Sequence, residues 1–103
     1  MIILHVTCAE DEEARKIGEA LLTARLVSCV RRSLVTTSNW WDGEIEHHEE
    51  VLLTMESREE KFDAIEKVVK SLHSYETFVL TAVPVLKTTV GVEKWLDEEL
   101  ANN

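Results

Sequence analysis

The spacing of apolar residues changes along the chain, and each change predicts a new element. An apolar run over residues 2–7 predicts a buried strand. The acidic segment 10–13 favours a helix start, because the helix dipole stabilises negative charge there. Apolar residues at spacings of three and four then predict a helix facing a core. They are Ala14, Ile17, Leu21 and Ala24.

Two runs of strand-forming residues, 27–38 and 44–56, flank the sequence Trp40-Trp41-Asp42-Gly43. Asp-Gly is a strong signal for a two-residue hairpin, because both turn positions need a positive φ. The sequence therefore predicts an unusually long hairpin with two indoles near its tip, pointing to opposite faces. A small core cannot easily cover indoles so far from its centre, and a large exposed apolar patch marks a contact surface. We expect Trp40 and Trp41 to form an interface between copies of this chain.

The segment from Ser57 to Glu60 has the capping-box pattern, in which the serine hydroxyl accepts from an early helix amide and the glutamate reaches back. It predicts the start of a second helix. The apolar stripe of that helix repeats the first stripe 48 residues later, which indicates two related halves. Its members are Phe62, Ile65, Val69 and Leu72.

The remaining chain predicts a fourth strand over residues 77–86, with Pro84 favouring a sheet edge or a bulge. A short terminal helix follows, with an apolar face of Val92, Trp95, Leu96 and Leu100. The order βαββαβ predicts an α+β, ferredoxin-like sandwich: a four-stranded antiparallel sheet with two helices on one face. Its length favours a single domain over residues 1–103. The other sheet face needs cover from the terminal helix or from neighbouring subunits.

Composition excludes several classes of protein. A net charge of −9, from 20 acidic and 11 basic residues, disfavours binding to nucleic acid, which needs clustered Lys and Arg. No apolar run approaches the roughly 20 residues of a membrane span. The N-terminal segment has no secretory pattern, so we expect a cytoplasmic protein. Cys8 and Cys29 are too few for a disulfide scaffold and are expected to be free thiols.

No known catalytic motif is present in the sequence. The chain has three glycines and lacks a phosphate loop, a Gly-x-Ser-x-Gly elbow, a Cys-x-x-Cys pair and a His-Glu-x-x-His zinc motif. The sequence therefore predicts that this protein is not an enzyme.

An ordered set of short segments resembles the CutA family, the divalent-cation tolerance proteins, over essentially the whole chain. The segments are Leu26-Val27-Ser28-Cys29-Val30, Trp40-Trp41-Asp42-Gly43-Glu44-Ile45-Glu46, Glu50-Val51-Leu52-Leu53, His73-Ser74-Tyr75-Glu76 and Trp95-Leu96. The resemblance implies a tight homotrimer, similar in architecture to PII signalling proteins. It also implies a role in tolerance of copper and other divalent metals, without an established catalytic activity.

The resemblance further implies a ligand site in the cleft between subunits. Carried over by position, its residues are Cys29, Glu50, His73, Tyr75 and Glu76. Cys29, His73 and Glu76 are the metal-ligand candidates, for a divalent ion such as copper, and no cofactor is obligatory. The expected partners are other copies of this chain and a metal ion or small metabolite.

This chain departs from the family pattern around the cleft, at Glu56, Ser57, Ser74, Phe78 and Val79. Glu56 stands where relatives usually have a lysine, which swings the local charge by two units. The altered cleft is expected to bind an anionic ligand poorly and leaves open a preference for a cation.

Each candidate also has a plain structural interpretation. A lone cysteine in a strand is more often a small buried hydrophobe than a metal ligand. His47 and His48 point to opposite faces of a strand and cannot chelate one ion together, which favours a solvated ribbon edge. His5, in the first strand, is expected to be a core histidine.

Two functions remain: a trimeric binding or regulatory module, and a structural platform with no small ligand.

Overall fold

The computed structural model describes residues 1–102. The strands are β1 (Ile2–Cys8), β2 (Cys29–Trp41), β3 (Glu44–Ser57) and β4 (Leu80–Pro84). The helices are α1 (Asp11–Thr23), α2 (Phe62–Leu72) and α3 (Val92–Glu99), and a 3₁₀ turn at Glu59–Lys61 precedes α2. The strands form one antiparallel sheet in the order β2-β3-β1-β4. The predicted ferredoxin-like α+β fold is confirmed.

The core lies between the sheet and the two long helices. Alternate residues of β1 point toward the helices and are buried, as the period of two in a strand requires. They pack against the apolar stripes of α1 and α2. The fully buried members include Leu4, Val6, Ile17, Leu21, Leu53, Met55, Ile65 and Val69.

Two residues of the predicted helix stripes lie outside the core. Ala24 is exposed, because α1 ends at Thr23 and the chain reverses through Arg25 at a φ of 55°. Leu72, the last residue of α2, is 42% exposed. The predicted apolar stripe is therefore one residue too long at the C-terminal end of each of the two helices.

The capping-box prediction is wrong. Ser57 still belongs to β3, is fully buried, and its hydroxyl donates to the carbonyl of Leu26 at 2.6 Å. The 3₁₀ turn then intervenes, and α2 begins only at Phe62 without a side-chain cap hydrogen bond. Because Ser57 pairs with Ile2 across the sheet, its side chain faces the helix layer and ties β3 to the α1–β2 connection.

The fourth strand is shorter than the predicted span of residues 77–86. It pairs with β1 alone, from Val6–Leu80 to Ile2–Pro84. Pro84 therefore lies on an edge strand, as its missing amide predicts. The flanking residues find no strand partner among residues 1–102, which is why the strand covers five residues.

The terminal helix α3 packs at one end of the sheet. Arg58 donates to Glu93 and Asp97, and the Ala101 amide donates to the Arg25 carbonyl. Leu96 is buried beneath these contacts. The open sheet face keeps half-exposed side chains, including His5, which is therefore not a core residue.

The hairpin is long, as predicted, and its turn has the expected geometry. Asp42 and Gly43 have φ values of 51° and 81°, the positive values that a type I′ turn needs. Residues 44–50 of β3 pair with β2, whereas β1 pairs only with residues from Val51 onward. Residues 35–50, called the arm below, therefore extend beyond the four-stranded sheet as a two-stranded ribbon.

Candidate functional site

His73 lies at the C-terminal end of α2, and its hydrogen bonds define its tautomer. The Thr7 carbonyl, 2.8 Å from Nε2, can only accept, so Nε2 carries the proton. The Tyr75 amide, 3.1 Å from Nδ1, can only donate, so Nδ1 offers its lone pair. The ring also stacks on Phe78, with the two ring centroids 5.1 Å apart. Phe78, a departure from the family pattern, thus fixes the plane of this imidazole.

Tyr75 and Glu50 form the second contact of the site. The Tyr75 hydroxyl donates to Glu50 Oε2 at 2.5 Å, and the Glu50 residue is 5% exposed. Burial, together with the nearby Glu50 carboxylate, raises the pKa of the Tyr75 hydroxyl. The tyrosine therefore keeps its proton and supplies the donor that a buried carboxylate needs.

Glu13, in the first turn of α1, accepts two backbone amides. The Ala9 amide donates to Oε2 at 2.9 Å and the Ser74 amide to Oε1 at 2.6 Å. Burial opposes ionisation, but the hydrogen bonds from Ala9 and Ser74 outweigh it and hold the pKa of the Glu13 carboxyl below its usual value. This carboxylate joins α1 to the segment 73–79.

Cys8, at the end of β1, is completely buried beside these groups. Burial, reinforced by the Glu13 and Glu50 carboxylates, raises the pKa of its thiol to about 12. Ligand atoms of Cys8, Glu13 and His73 all lie within 4.8 Å of one another. Sequence reasoning treated Cys8 only as a free thiol and the 10–13 segment only as a helix start. No local motif links three residues so distant in sequence.

Within one chain, the structure brings together Glu50, His73 and Tyr75 of the predicted cleft, and Cys29 lies elsewhere. Cys29 pairs with Glu56, and Glu56 pairs with Ile3 near the start of β1. His73 binds Thr7, four residues further along β1, which corresponds to about 13 Å. The proposed metal set of Cys29, His73 and Glu76 is therefore not assembled within a single chain.

A cavity of about 700 Å³ lies between the arm, the end of β1 and the segment 73–79. Its lining contains the two exposed indoles, Trp40 and Trp41, which are 71% and 54% exposed. Neither indole is thus buried within its own chain. Four carboxylates also line the cavity, and they belong to Glu46, Glu49, Glu50 and Glu76. Such a lining favours cations over anions.

Glu56 does not present an unpaired charge. Arg31 holds it through two contacts from Nη1, at 2.6 and 2.7 Å. The charge change expected from the missing lysine is therefore largely neutralised within the chain. On the arm, His47 contacts Ser38 and His48 contacts Glu46, so the two imidazoles have separate partners.

None of the helices within residues 1–102 has both the length and the apolar character needed to cross a membrane. A solved structure of the CutA protein from Archaeoglobus fulgidus carries the description periplasmic divalent cation tolerance protein. The cytoplasmic location expected from the sequence stays a prediction.

Comparison with known proteins gives one consistent result. The family described as CutA1 divalent ion tolerance protein matches residues 2–99. The divalent-cation tolerance protein CutA of Archaeoglobus fulgidus is 33% identical over 95 residues, which is 92% of this chain and 93% of that protein. Its structure superposes with a TM-score of 0.93 at 32% identity, covering 96% and 98% of the two chains.

A structure of CutA1 from Pyrococcus horikoshii OT3, a point variant, superposes with a TM-score of 0.95 at 30% identity. It covers 99% of this chain and 100% of that one. The family and these relatives are named for divalent ions or for CutA, and not for a catalysed reaction. The match spans every element from β1 to α3. This chain therefore belongs to the CutA1 family of divalent ion tolerance proteins.

Proposed function

We propose that this protein is a cytoplasmic homotrimer that binds a ligand at the clefts between its subunits. In this proposal it acts as a binding or regulatory module in the response to divalent metal ions such as copper. The observation that carries the proposal is the position of the 700 Å³ cavity. The exposed indoles of the arm form part of its lining, so a second copy that packs on the indoles also covers that part of the cavity.

The arm supports self-association. An isolated two-stranded ribbon is only marginally stable in water, and additional packing is needed to hold it. The arm carries Trp40, Trp41 and Ile45, each more than half exposed. Tryptophan is prominent among the residues that dominate interface energies. Packing against a neighbouring chain supplies the missing contacts.

The opposite sheet edge carries a second exposed apolar group. Its members are Val79, Val83, Leu86 and Val90, with exposures from 45% to 101%. Two separate apolar surfaces on one chain fit a head-to-tail arrangement, in which the arm of one copy meets the edge of the next. Such an arrangement closes into a ring if the rotation between copies allows it. The number three comes from the resemblance to the CutA family.

The acidic lining supports a cationic ligand. Carboxylates in a partly closed cavity concentrate positive charge. Of the predicted cleft residues, Glu76 is exposed and lines the cavity, whereas Glu50 is buried and bound by the Tyr75 hydroxyl, and His73 does not line the cavity. We therefore propose that Glu76 is the residue that contacts the ligand, and that Glu50 and His73 shape the wall behind it.

Two measurements test this function together. Sedimentation at micromolar concentration is expected to show a trimer. A thermal-shift screen with copper, zinc, small carboxylates and nucleotides is expected to raise the melting temperature for a metal ion, because a ligand of the folded state stabilises it. A folded monomer contradicts the proposal. An intact trimer that responds to nothing in the panel supports the platform function instead.

A matched pair of variants locates the ligand. Glu76→Gln is expected to reduce the metal-dependent stabilisation while leaving the trimer intact. Glu66→Gln, an exposed carboxylate on α2 that does not line the cavity, is the control and is expected to respond like the parent protein. Equal responses of the two variants contradict the role assigned to Glu76.

A further inference from the structure

We propose that Cys8, Glu13 and His73 form an intrachain binding site for a borderline-soft divalent cation, with zinc as the ion that fits best. This inference deepens the proposed response to divalent metals and rests on it. The site differs from the predicted cleft set in two of its three ligands. It takes the sulfur that lies beside His73 in the same chain, and not the sulfur of Cys29.

The donor set has the right chemistry for zinc. Zinc is bound in proteins by cysteine sulfur, histidine nitrogen and carboxylate oxygen, and sites with three protein ligands keep a fourth position open. Cys8, Glu13 and His73 offer one ligand of each kind. Binding exchanges the thiol proton for the metal ion, and the proton passes to the solvent.

The distances are close to those of a metal centre. One ligand atom from each side chain, either ring nitrogen in the case of His73, lies within 4.8 Å of the other two. Ligand atoms around a tetrahedral zinc lie about 3.5 Å apart, given ordinary Zn–S and Zn–N bond lengths. The cluster therefore contracts by about 1.3 Å at most on binding.

The outer contacts also match those of a metal-bound histidine. Such a histidine usually donates its other ring N–H to a carbonyl or carboxylate, which fixes the tautomer. The Nε2–H of His73 donates to the Thr7 carbonyl in this way. With Nε2 held by the carbonyl, Nδ1 is the nitrogen left for the ion, and binding there would displace the Tyr75 amide that now lies 3.1 Å from it.

Glu13 keeps room for a metal despite its two hydrogen bonds. Each carboxylate oxygen has two lone pairs, and the Ala9 and Ser74 amides each use one. These amides orient the carboxylate toward Cys8 and His73. The three ligands also come from three different elements, the end of β1, the start of α1 and the end of α2, which hold them on a rigid frame.

Cobalt titration of the reduced protein tests the site directly. Co²⁺ replaces zinc, and a thiolate ligand gives an intense charge-transfer band in the near ultraviolet. We expect this band to saturate at one ion per chain and to disappear on addition of zinc. We expect Cys8→Ala to abolish the band, and Cys29→Ala to retain it. Loss of the band in Cys29→Ala and its survival in Cys8→Ala would overturn the assignment.

Zinc affinity provides a second measure. Glu13→Gln and His73→Gln are expected to weaken zinc binding by more than the 10–100-fold that loss of an outer-shell partner typically costs. If Cys8→Ala fails to fold, X-ray absorption at the zinc edge of the parent protein decides. A zinc shell of one sulfur with nitrogen and oxygen neighbours supports the site if Cys29→Ala retains it. A zinc shell without sulfur contradicts the site.

The same variants separate this site from the cleft function. Sedimentation and the copper thermal shift are measured on Cys8→Ala in parallel. The intrachain site is refuted if the parent protein lacks the cobalt band. If Cys8→Ala then still forms a trimer that copper stabilises, the proposed function stands. A cobalt band in a protein that does not assemble refutes the cleft function alone.

Discussion

Substitution of Glu13 by glutamine tests the central contact between α1 and the segment 73–79. The carboxylate accepts the Ala9 amide through one oxygen and the Ser74 amide through the other. Glutamine keeps one acceptor and turns an NH₂ group toward the other amide. One charge-assisted hydrogen bond is lost, worth about 1.5–3 kcal/mol, and the second becomes a weaker neutral bond.

These losses sum to about 2–4 kcal/mol in the free energy of unfolding. Whole domains are stable by only about 5–15 kcal/mol, so the change is large. With a urea m-value near 2 kcal/mol/M, it shifts the unfolding midpoint by about 1–2 M. The assay is urea unfolding at one fixed protein concentration with a chelator present, so that assembly is compared at the same concentration and metal binding contributes to neither protein.

The effect depends on pH with a definite sign. Because the folded state lowers the pKa of Glu13 from its ordinary value of 4.5, ionised Glu13 stabilises the fold. This contribution is fully present above pH 4.5 and is lost as the pH falls through the folded-state value. The difference between parent and Glu13→Gln is therefore expected to shrink on acidification.

Glu12→Gln is the matched control, with the same charge change one residue away. The Glu12 carboxylate is exposed and pairs with Lys16 at 3.4 Å, so its removal is expected to cost about 0.5 kcal/mol or less. Hydrogen exchange gives a local measure, because the Ala9 and Ser74 amides are expected to exchange faster in Glu13→Gln alone. A difference under about 0.5 kcal/mol at neutral pH, or one that does not change with acid, refutes the reasoning.

Further substitutions test the remaining contacts. Ser57→Ala leaves the buried Leu26 carbonyl without its donor and is expected to cost about 1–3 kcal/mol in urea unfolding, whereas Glu60→Ala is expected to be nearly neutral. Stability losses that are coupled between these two substitutions would instead support the capping box. Tyr75→Phe removes the donor to a buried carboxylate and is expected to cost about 1.5–3 kcal/mol, with unchanged stability as the contrary outcome. Trp41→Ala is expected to weaken assembly more than the fold of each chain, and an unchanged oligomer at low concentration in sedimentation contradicts this.

The candidate site was only partly visible in the sequence. The resemblance to the CutA family placed Glu50, His73 and Tyr75 together, and the structure brings them within hydrogen-bonding range. Cys8 and Glu13 gave no comparable signal. They join the site because β1 ends beside the end of α2, a contact between residues more than 60 positions apart.

Sequence by itself determined the order and type of the elements. Strand and helix periods, the Asp-Gly turn and the proline at the sheet edge are local properties, set by backbone geometry and by which side chains a single core can bury. The structure agrees with these local predictions at the type I′ turn of Asp42 and Gly43 and at the buried faces of β1 and α1.

Only the tertiary structure decided which polar groups meet. Ser57 binds Leu26 instead of capping α2, Arg31 neutralises Glu56, and Glu13 receives an amide from Ser74. A polar side chain of a given kind satisfies many partners, so its sequence position does not select one. Burial selects the partner, because a buried polar group must find a hydrogen bond and takes the one that the packed elements bring within reach.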